Sequence, residues 1–589
     1  MGFLRCGLVA AVATLVASAL ASPTGELASR QEGTGVGFTY SFPEYREVFQ
    51  VAPPVLGPEG PLDSWGRDRV KVQEPIQKRQ ETGACKMLLM EHTFASSYEK
   101  PFIGNYTPPD CEFNRVLLNF TATVQPGVQY DRLAIMYLGD TEIWRTSTAE
   151  PLRERGGAIW TYWKDVTPFM YFWKQPQKII FDLGNIVDEQ YTSPFNTTLT
   201  ATFFVADEDS VGTTVAAGAE KWGPADRIIP VSARKSATDQ VSAWRFPEDE
   251  AKDTLTAFPA TRAAPCLAKV DSFDPGTVSG LDAWREVQVF IDDHLVGVSW
   301  PYPVLFTGAM SPMMHRPIVG LNTFDLKEQE IDITPWLPLL CDGEDHTVSL
   351  RVVCLDDTAA GGPAIVPTPS NWVLTGKVFV WLDEDEAKVQ FDPSGGDIQS
   401  NPFVSETSMI YSLLAHRGFV VEGKIVTQAG EKEVSWAQSL NFTTNLEFST
   451  SLNPRGGQLE QTTVMAIEGA ESASGMAEYR SEYSYPFKGM AALRTWQGRD
   501  AERPWQGVYV VLPNYLFVQV VDQKIEGSPV FPSGVEAYNG TYGASHLFTT
   551  RESFHNEMLT ERGSISHILY GSNVGLLWGK FRAGRAFVQ

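Results

Sequence analysis

The sequence predicts an all-β protein: tandem jelly-roll-like β-sandwiches followed by a third β-rich domain. Three observations lead there. Val116–Val124, Leu133–Leu138, Lys178–Phe181 and Thr198–Val205 are short β-branched and apolar runs, bounded by Gly, Pro, Asn and Asp. Almost no stretch keeps a helical period for more than about ten residues. Part of the chain also repeats itself, and a fixed order of matching motifs is the mark of a duplicated structural unit.

The first copy begins Asp131-Arg132-Leu133 and continues through Tyr137-Leu138-Gly139-Asp140. It then reads Asp165-Val166-Thr167-Pro168-Phe169, Lys178-Ile179-Ile180-Phe181 and the run Ala201–Asp209. The second begins Trp284-Arg285-Glu286-Val287 and continues through Phe290-Ile291-Asp292-Asp293. It then reads Asp332-Ile333-Thr334-Pro335-Trp336, Thr347-Val348-Ser349-Leu350 and the run Lys377–Asp385. Short strands with frequent turns fit sandwiches. Matching Gly139-Asp140 to Asp292-Asp293 sets Glu286 two residues past the partner of Asp131. Two residues along a strand is the same face. Both copies therefore offer a carboxylate near the start of the same strand.

The chain has 589 residues, enough for several domains. The expected divisions are a signal peptide over 1–21, an N-terminal arm or pro-segment over 22–80, a first jelly roll over 81–209 and a linker over 210–239. A second jelly roll follows over 240–386, then a β-rich domain over 387–589. Arg5, the apolar run Leu8–Leu20 and Ala19-Leu20-Ala21 make a secretory leader cut after Ala21. The apolar run is shorter than the roughly 20 residues a membrane span needs, so no integral span is expected. The arm is rich in Pro and Gly, and the pair Lys78-Arg79 offers a processing site.

The formal charge is −24 and the pI is about 4.8. So acidic a surface argues against nucleic acid and anionic membranes as partners. It suits mildly acidic surroundings, where protonation relieves self-repulsion. The expected location is extracellular or an acidic vacuolar compartment. Sequons at Asn105, Asn119, Asn196, Asn441 and Asn539 agree with the secretory route. Nearest-in-chain pairing of the mature cysteines gives Cys85–Cys111 and Cys341–Cys354, with Cys266 left over.

Metal-ligand spacings, a nucleophile elbow, a P-loop and a dinucleotide fingerprint are missing from the sequence. Neither metal nor cofactor is expected. Carboxylates remain as the groups for chemistry. The densest polar stretch is Asp140–Pro151, directly after a core strand. It reads either as a solvated loop or as a sugar site. In the second reading Trp144 faces a pyranose, while Glu142, Arg145, Thr146 and Glu150 meet hydroxyls or act as acid and base. Trp300 and Arg316 have similar surroundings in the second copy, where a rigid loop with a packed aromatic is the alternative.

A series of motifs runs through Leu88–Ala95, Tyr106–Cys111, Tyr130–Leu133, Glu142–Pro151 and Asp182–Asn185. It continues through Trp284–Val287, Trp300–Val304, Phe306–Gly308, Arg316–Gly320 and Ile331–Pro335. Taken in order, the series resembles the peptide N-glycosidase A (amidase A) family of plants and fungi. The resemblance covers about residues 45–386. It implies a secreted amidase acting on N-glycosylated peptides and proteins without a metal. A fainter resemblance reaches the bacterial two-jelly-roll peptide N-glycosidase, through Tyr130-Asp131-Arg132, Glu142-Ile143 and Asp165-Val166-Thr167. It implies Asp131 as the catalytic Asp, and the repeat adds Glu286 as a second catalytic carboxylate. Arg132 joins the substrate-binding residues. The family's acidic-aromatic stretch before the W-R-E-V motif is replaced here, where Pro259–Asp271 carries Pro265-Cys266-Leu267 instead. No Trp stands before Arg316 in Met310–His315.

The expected reaction is hydrolysis of the Asn side-chain amide that holds an N-linked glycan, giving Asp and a glycosylamine. The alternatives are a glycan-binding, lectin-like protein of the same fold, or a glycoside hydrolase using the same paired acids.

Overall fold

In the computed structural model the described residues are 45–53, 55–62, 83–151, 156–206, 224–231, 244–246, 252–255, 284–306, 318–340, 344–356, 364–367, 372–381, 398–404, 408–427, 430–453, 456–475, 478–497, 513–527, 540–555 and 558–571. They form β-sheets, with short helical turns only at Thr167–Trp173 and Thr334–Leu340. Residues 1–44, Lys78-Arg79, Pro259–Asp271, Arg316, Cys266, Cys341 and Asn539 lie outside them.

The first sandwich closes two sheets over one core. One sheet runs Tyr45–Glu47, Gly157–Asp165, Arg115–Val124, Phe195–Phe204, Cys85–Phe94 in spatial order. The other runs Phe102–Tyr106, Gln177–Leu183, Leu133–Leu138, Thr141–Ser147. Arg115–Val124 alternates strictly over its second half, burying Leu118, Phe120, Ala122 and Val124 and turning Asn119, Thr121 and Thr123 outward. This period of two gives a strand one apolar face. Phe120, Trp144 and Phe181 meet between the sheets, with the Phe120 and Phe181 rings stacked at 5.3 Å. A Cys85–Cys111 disulfide ties an edge strand to the loop before Arg115–Val124. Part of the N-terminal arm belongs to this domain. Tyr45–Glu47 pairs in parallel with Gly157–Ile159, and Val55–Gly57 folds back on Gly60–Leu62.

Among the described residues the second sandwich repeats the hairpin sheet of the first. Leu133–Leu138 turns through Gly139-Asp140 into Thr141–Ser147, and Glu286–Ile291 turns through Asp292-Asp293 into His294–Ser299. Each hairpin carries a register shift two residues before its turn, at Met136/Tyr137 and Val289/Phe290. Each copy then caps a helical turn with an Asp. Asp165 Oδ1 accepts from Thr167 N at 2.8 Å, and Asp332 Oδ1 from Thr334 N at 2.9 Å. Its main sheet runs Lys252–Leu255, His346–Asp356, Glu286–Ile291, His294–Ser299, with Ala364–Pro367 also on His346–Asp356. Arg227–Pro230, inside the expected linker, pairs with Lys377–Val380. Cys354 is buried on His346–Asp356.

The C-terminal region is one antiparallel sheet with its strands in chain order: Ile398–Val404, Ser408–Thr427, Gly430–Asn453, Gly456–Ser474, Tyr479–Gln497, Pro513–Gly527, Gly540–His555 and Met558–Gly571. Its inner face joins the second sandwich in one core, Leu413, Phe419, Trp436, Leu440 and Phe442 packing with Val287, Val298, Trp300 and Trp336. Four of the sequon asparagines lie on strands, with Asn105, Asn196 and Asn441 exposed and Asn119 half-buried. Among the described residues no helix is long and apolar enough to cross a membrane.

Where this sheet meets the second sandwich, polar groups are enclosed. Gln438 Nε2 donates to Val298 O at 2.9 Å and to Glu471 Oε1 at 3.1 Å. Tyr479 OH donates to Asp332 Oδ2 at 3.2 Å. Burial pushes the Glu471 carboxyl up to about 7; the Gln438 bond opposes this and the Asp332 charge adds to it. The folded state therefore keeps a proton that the unfolded chain gives up near 4.5. Stability from this group is full below about pH 4.5 and is lost as pH rises through about 7. Glu471→Gln keeps the acceptor and removes the charge. Thermal melts across pH 4–8 should show Glu471→Gln matching the parent in acid and exceeding it at pH 8, by on the order of 3 kcal/mol.

Candidate functional site

The polar stretch after the Gly139-Asp140 turn forms strand Thr141–Ser147, all of whose residues are buried. One face lies on the first core, where Trp144 is 1% exposed and its Nε1 donates to Phe324 O at 3.2 Å. The other face meets the second sandwich. Arg145 Nε and Nη2 grip Glu142 at 3.0 and 2.7 Å, and Arg145 Nη1 donates to Val373 O at 2.7 Å. Thr375 Oγ1 donates to Glu142 Oε2 at 2.6 Å. The main chain joins in, with Leu326 N donating to Arg145 O and Ser147 N to Thr323 O. Thr146 and Glu150 are buried in the same stretch. The structure thus places Glu142 and Arg145 in an inter-domain seam, Trp144 in the first core, and Thr146 and Glu150 in the same buried stretch, rather than on an open sugar site. Two further buried pairs, Lys164–Asp325 at 2.8 Å and Lys377–Glu328, lie in that seam.

Glu286 is likewise enclosed. It opens strand Glu286–Ile291 with no exposed surface. Gln288 Nε2 and Arg417 Nη2 donate to its Oε1 at 2.8 and 2.7 Å. Trp300 Nε1 and Arg417 Nε donate to its Oε2 at 3.0 and 2.8 Å. Arg417 comes from the C-terminal strand Ser408–Thr427, and its bond to Glu286 raises its own pKa. Trp300, expected to face substrate, is 1% exposed and packs edge-on against Trp284. The carboxylate that the repeat suggested for catalysis is, in this arrangement, the anchor of an inter-domain ion pair.

Asp131 has different surroundings. It lies half-exposed in the loop before Leu133–Leu138, at one end of the first sandwich. Three loops meet there, residues 95–101, 125–132 and 184–194, and they are tied together. Ser97 N donates to Asn185 O at 3.0 Å, Ser97 Oγ to Leu183 O at 2.6 Å, and Asn185 Nδ2 to Phe94 O at 3.0 Å. Thr192 N donates to Val128 O, and Val128 N to Thr192 Oγ1. Gly127 has φ +154, and a Cβ there would meet Thr192 Oγ1 at 2.3 Å and Ser193 Oγ at 2.5 Å. Only glycine lets these two loops close. The Tyr98 ring lies over Gly184, where a Cβ would meet it at 2.8 Å.

Arg132 stands at the centre. Its Nη1 donates to Tyr98 OH at 3.3 Å, and its guanidinium lies 5.4 Å from the Tyr191 ring centre. Tyr191 meets Tyr130 edge-on at 5.5 Å. Tyr98, Tyr130, Leu133 and Ile186 are among the large apolar side chains the protein leaves exposed. The Arg132 backbone pairs with Thr148: Thr148 N donates to Arg132 O at 3.1 Å, and Arg132 N to Thr148 Oγ1 at 2.8 Å. Thr148 is one residue beyond the Ser147 contact with the second sandwich, so the loop cluster borders the seam. The arrangement offers a carboxylate, a guanidinium and flat aromatic faces at an accessible surface, which suits a sugar joined to a polar linkage. Among the described residues no group of His, Cys, Asp and Glu gathers to hold a metal ion.

Reading the residues in sequence missed Tyr98, Gln129 and Tyr191. The available signal was aromatic residues in turn-rich segments between strands, since binding groups concentrate on such loops.

Two family models match the chain. Peptide N-acetyl-β-D-glucosaminyl asparaginase amidase A matches residues 73–268 and 263–395, and a PNGase A C-terminal domain matches residues 410–487. The peptide-N4-(N-acetyl-β-glucosaminyl)asparagine amidase A of Prunus dulcis is 30% identical over 352 residues, 54% of this chain and 58% of that protein. The solved structure of PNGase F, a glycosylasparaginase from Flavobacterium meningosepticum, is 12% identical, with a TM-score of 0.29 over 50% of this chain and 96% of its own. A second crystal structure, of a peptide-N(4)-(N-acetyl-β-D-glucosaminyl) asparagine amidase, gives 13% identity and a TM-score of 0.29 at the same coverages.

The Glu286–Arg417 pair makes a measurable claim. Arg417→Met leaves a buried carboxylate without its cation, which should cost about 3–5 kcal/mol in denaturant unfolding. The double variant Glu286→Leu, Arg417→Met should recover much of that loss.

Proposed function

Because the chain belongs to the peptide N-acetyl-β-D-glucosaminyl asparaginase amidase A family, we propose that it hydrolyses the side-chain amide joining Asn to an N-linked glycan. The observation that carries the reading is the loop cluster of the first sandwich, which sets accessible Asp131 beside Arg132 and a rim of tyrosines. In the proposed reaction Asp131 takes a proton from water as the oxygen attacks the amide carbon. Arg132 stabilises the negative charge developing on the carbonyl oxygen. As the C–N bond breaks, the proton held by Asp131 passes to the departing nitrogen. The products are Asp and a glycosylamine, which water converts to the free glycan and ammonia. One carboxylate shuttling one proton balances the reaction without Glu286, whose oxygens are occupied by Arg417, Trp300 and Gln288.

The same reading takes N-glycosylated peptides and proteins as substrates, met along the secretory route or in an acidic compartment. The leader over 1–21, the sequons and the acidic composition support this. Glycan binding without turnover is the second reading. It is favoured by the buried Glu286 and by the replaced stretch Pro259–Asp271.

Digestion of a short glycopeptide at pH 4–7, followed by mass measurement of the peptide, separates the readings. Loss of the whole glycan with Asn becoming Asp is the expected outcome. A retained GlcNAc would mark a glycosidase, and unchanged mass with retained affinity a lectin. Asp131→Asn should lower turnover by roughly 10²–10⁴ while melting as the parent does; near-normal turnover would place the base elsewhere.

A further inference from the structure

Gln129 is 3% exposed and lies in the loop that carries Asp131 and Arg132. All four of its side-chain hydrogen-bonding positions are used. Its Oε1 accepts from Arg132 Nη2 at 2.8 Å and from Tyr130 N at 3.1 Å. Its Nε2 donates to Ser193 O at 2.8 Å and to Ile186 O at 3.2 Å. An amide has two donor hydrogens and one acceptor oxygen with two lone pairs, so this set is complete. It also fixes the amide's orientation. Turned over, the NH₂ would face a guanidinium and a backbone N–H, while the oxygen would face two carbonyls.

We infer that Gln129 is a positioning residue, which holds the Arg132 guanidinium toward the reacting amide and locks the loop with Tyr130 to the loop with Tyr191. This rests on the amidase reading of the Asp131 site. The reasoning is one of restraint. Apart from Gln129, the side-chain contacts described for Arg132 are to two tyrosines at the rim: a 3.3 Å bond to Tyr98, itself 50% exposed, and the half-buried Tyr191 ring. Neither can set a long, flexible side chain as firmly as a buried acceptor anchored on a second loop. A guanidinium that must meet charge as it forms gains from being placed beforehand. Gln129 also joins the Asp131 loop to the loop of Ile186 and Ser193, so one buried amide sets both the cation and the width of the rim.

The test is a double-mutant cycle on the full chain with a short glycopeptide, reading kcat and KM together with melting temperature. The variants are Gln129→Ala, Arg132→Ala and the pair. Gln129→Met, which fills the same volume without the four bonds, serves if the alanine variant does not fold. A folded Gln129 variant should lose about 10- to 100-fold in kcat, and adding it to Arg132→Ala should cost little more, because the two act as one unit. Millimolar guanidinium should restore part of the activity of Arg132→Ala but not of the double variant, since the added cation needs the Gln129 acceptor. Equal losses with and without Arg132, or rescue that ignores Gln129, would overturn the inference and make Gln129 a loop scaffold only. A parent that binds the glycopeptide without cleaving it would sink the amidase reading alone; the same cycle is then read on Kd, where additive losses again overturn the inference. No cleavage and no binding would overturn both.

Discussion

A strand buried on both faces has no water with which to hydrate its charges. Thr141–Ser147 is such a strand, and it carries Glu142 and Arg145. The two neutralise each other, and Val373 O and the Thr375 hydroxyl of the second sandwich add hydrogen bonds to the pair. Neither sandwich alone completes the network. Removing one member would strand the other in a medium that tolerates it poorly. Polar groups therefore help set the relative placement of the two sandwiches. The same logic governs the next interface along the chain, where Glu286 is satisfied only when Arg417 arrives from the C-terminal sheet.

The candidate site gains from this rigidity without sharing its burial. Thr148 holds the Arg132 backbone, and the residue before it, Ser147, donates its N–H to Thr323 in the second sandwich. Loops at the end of a sandwich are ordinarily its most mobile part. Here they are tied to one another by Ser97, Asn185, Gln129 and Thr192, and to the seam through Thr148. Accessible chemistry thus sits on segments whose backbone has few alternatives.

The duplicated sandwich was legible in the sequence because its signals are local. A turn after a strand of apolar residues, and an Asp capping a Thr-Pro turn, act within a few residues of themselves. Both reappear in the structure, down to the position of the register shift in each hairpin. The fate of Asp140–Pro151 was not legible. Hydroxyls, acids and an Arg in one run look alike whether water or a second domain covers them, and the partners Val373 and Thr375 lie more than two hundred residues away. Glu286 illustrates the same limit. Its strand and face follow from the repeat, but its cation comes from a third domain that the repeat does not include. Asp131 and Arg132 are suggested by a resemblance, whereas a single glutamine such as Gln129 carries no sequence pattern.

The repeat has a consequence for symmetry. Two copies of one fold suggest two equivalent sites, as in a dimer fused end to end. The position matched to Asp131 in the second copy is Trp284, which is wholly buried, and the neighbouring Glu286 is occupied by the C-terminal sheet. The equivalence of the two copies is broken at this position. Of two homologous ends, one has become a docking surface inside the molecule and the other still faces solvent. If the proposed site is the one that acts, a saturating titration would count one ligand per chain, and cooperativity between the halves would have no second occupant to act upon.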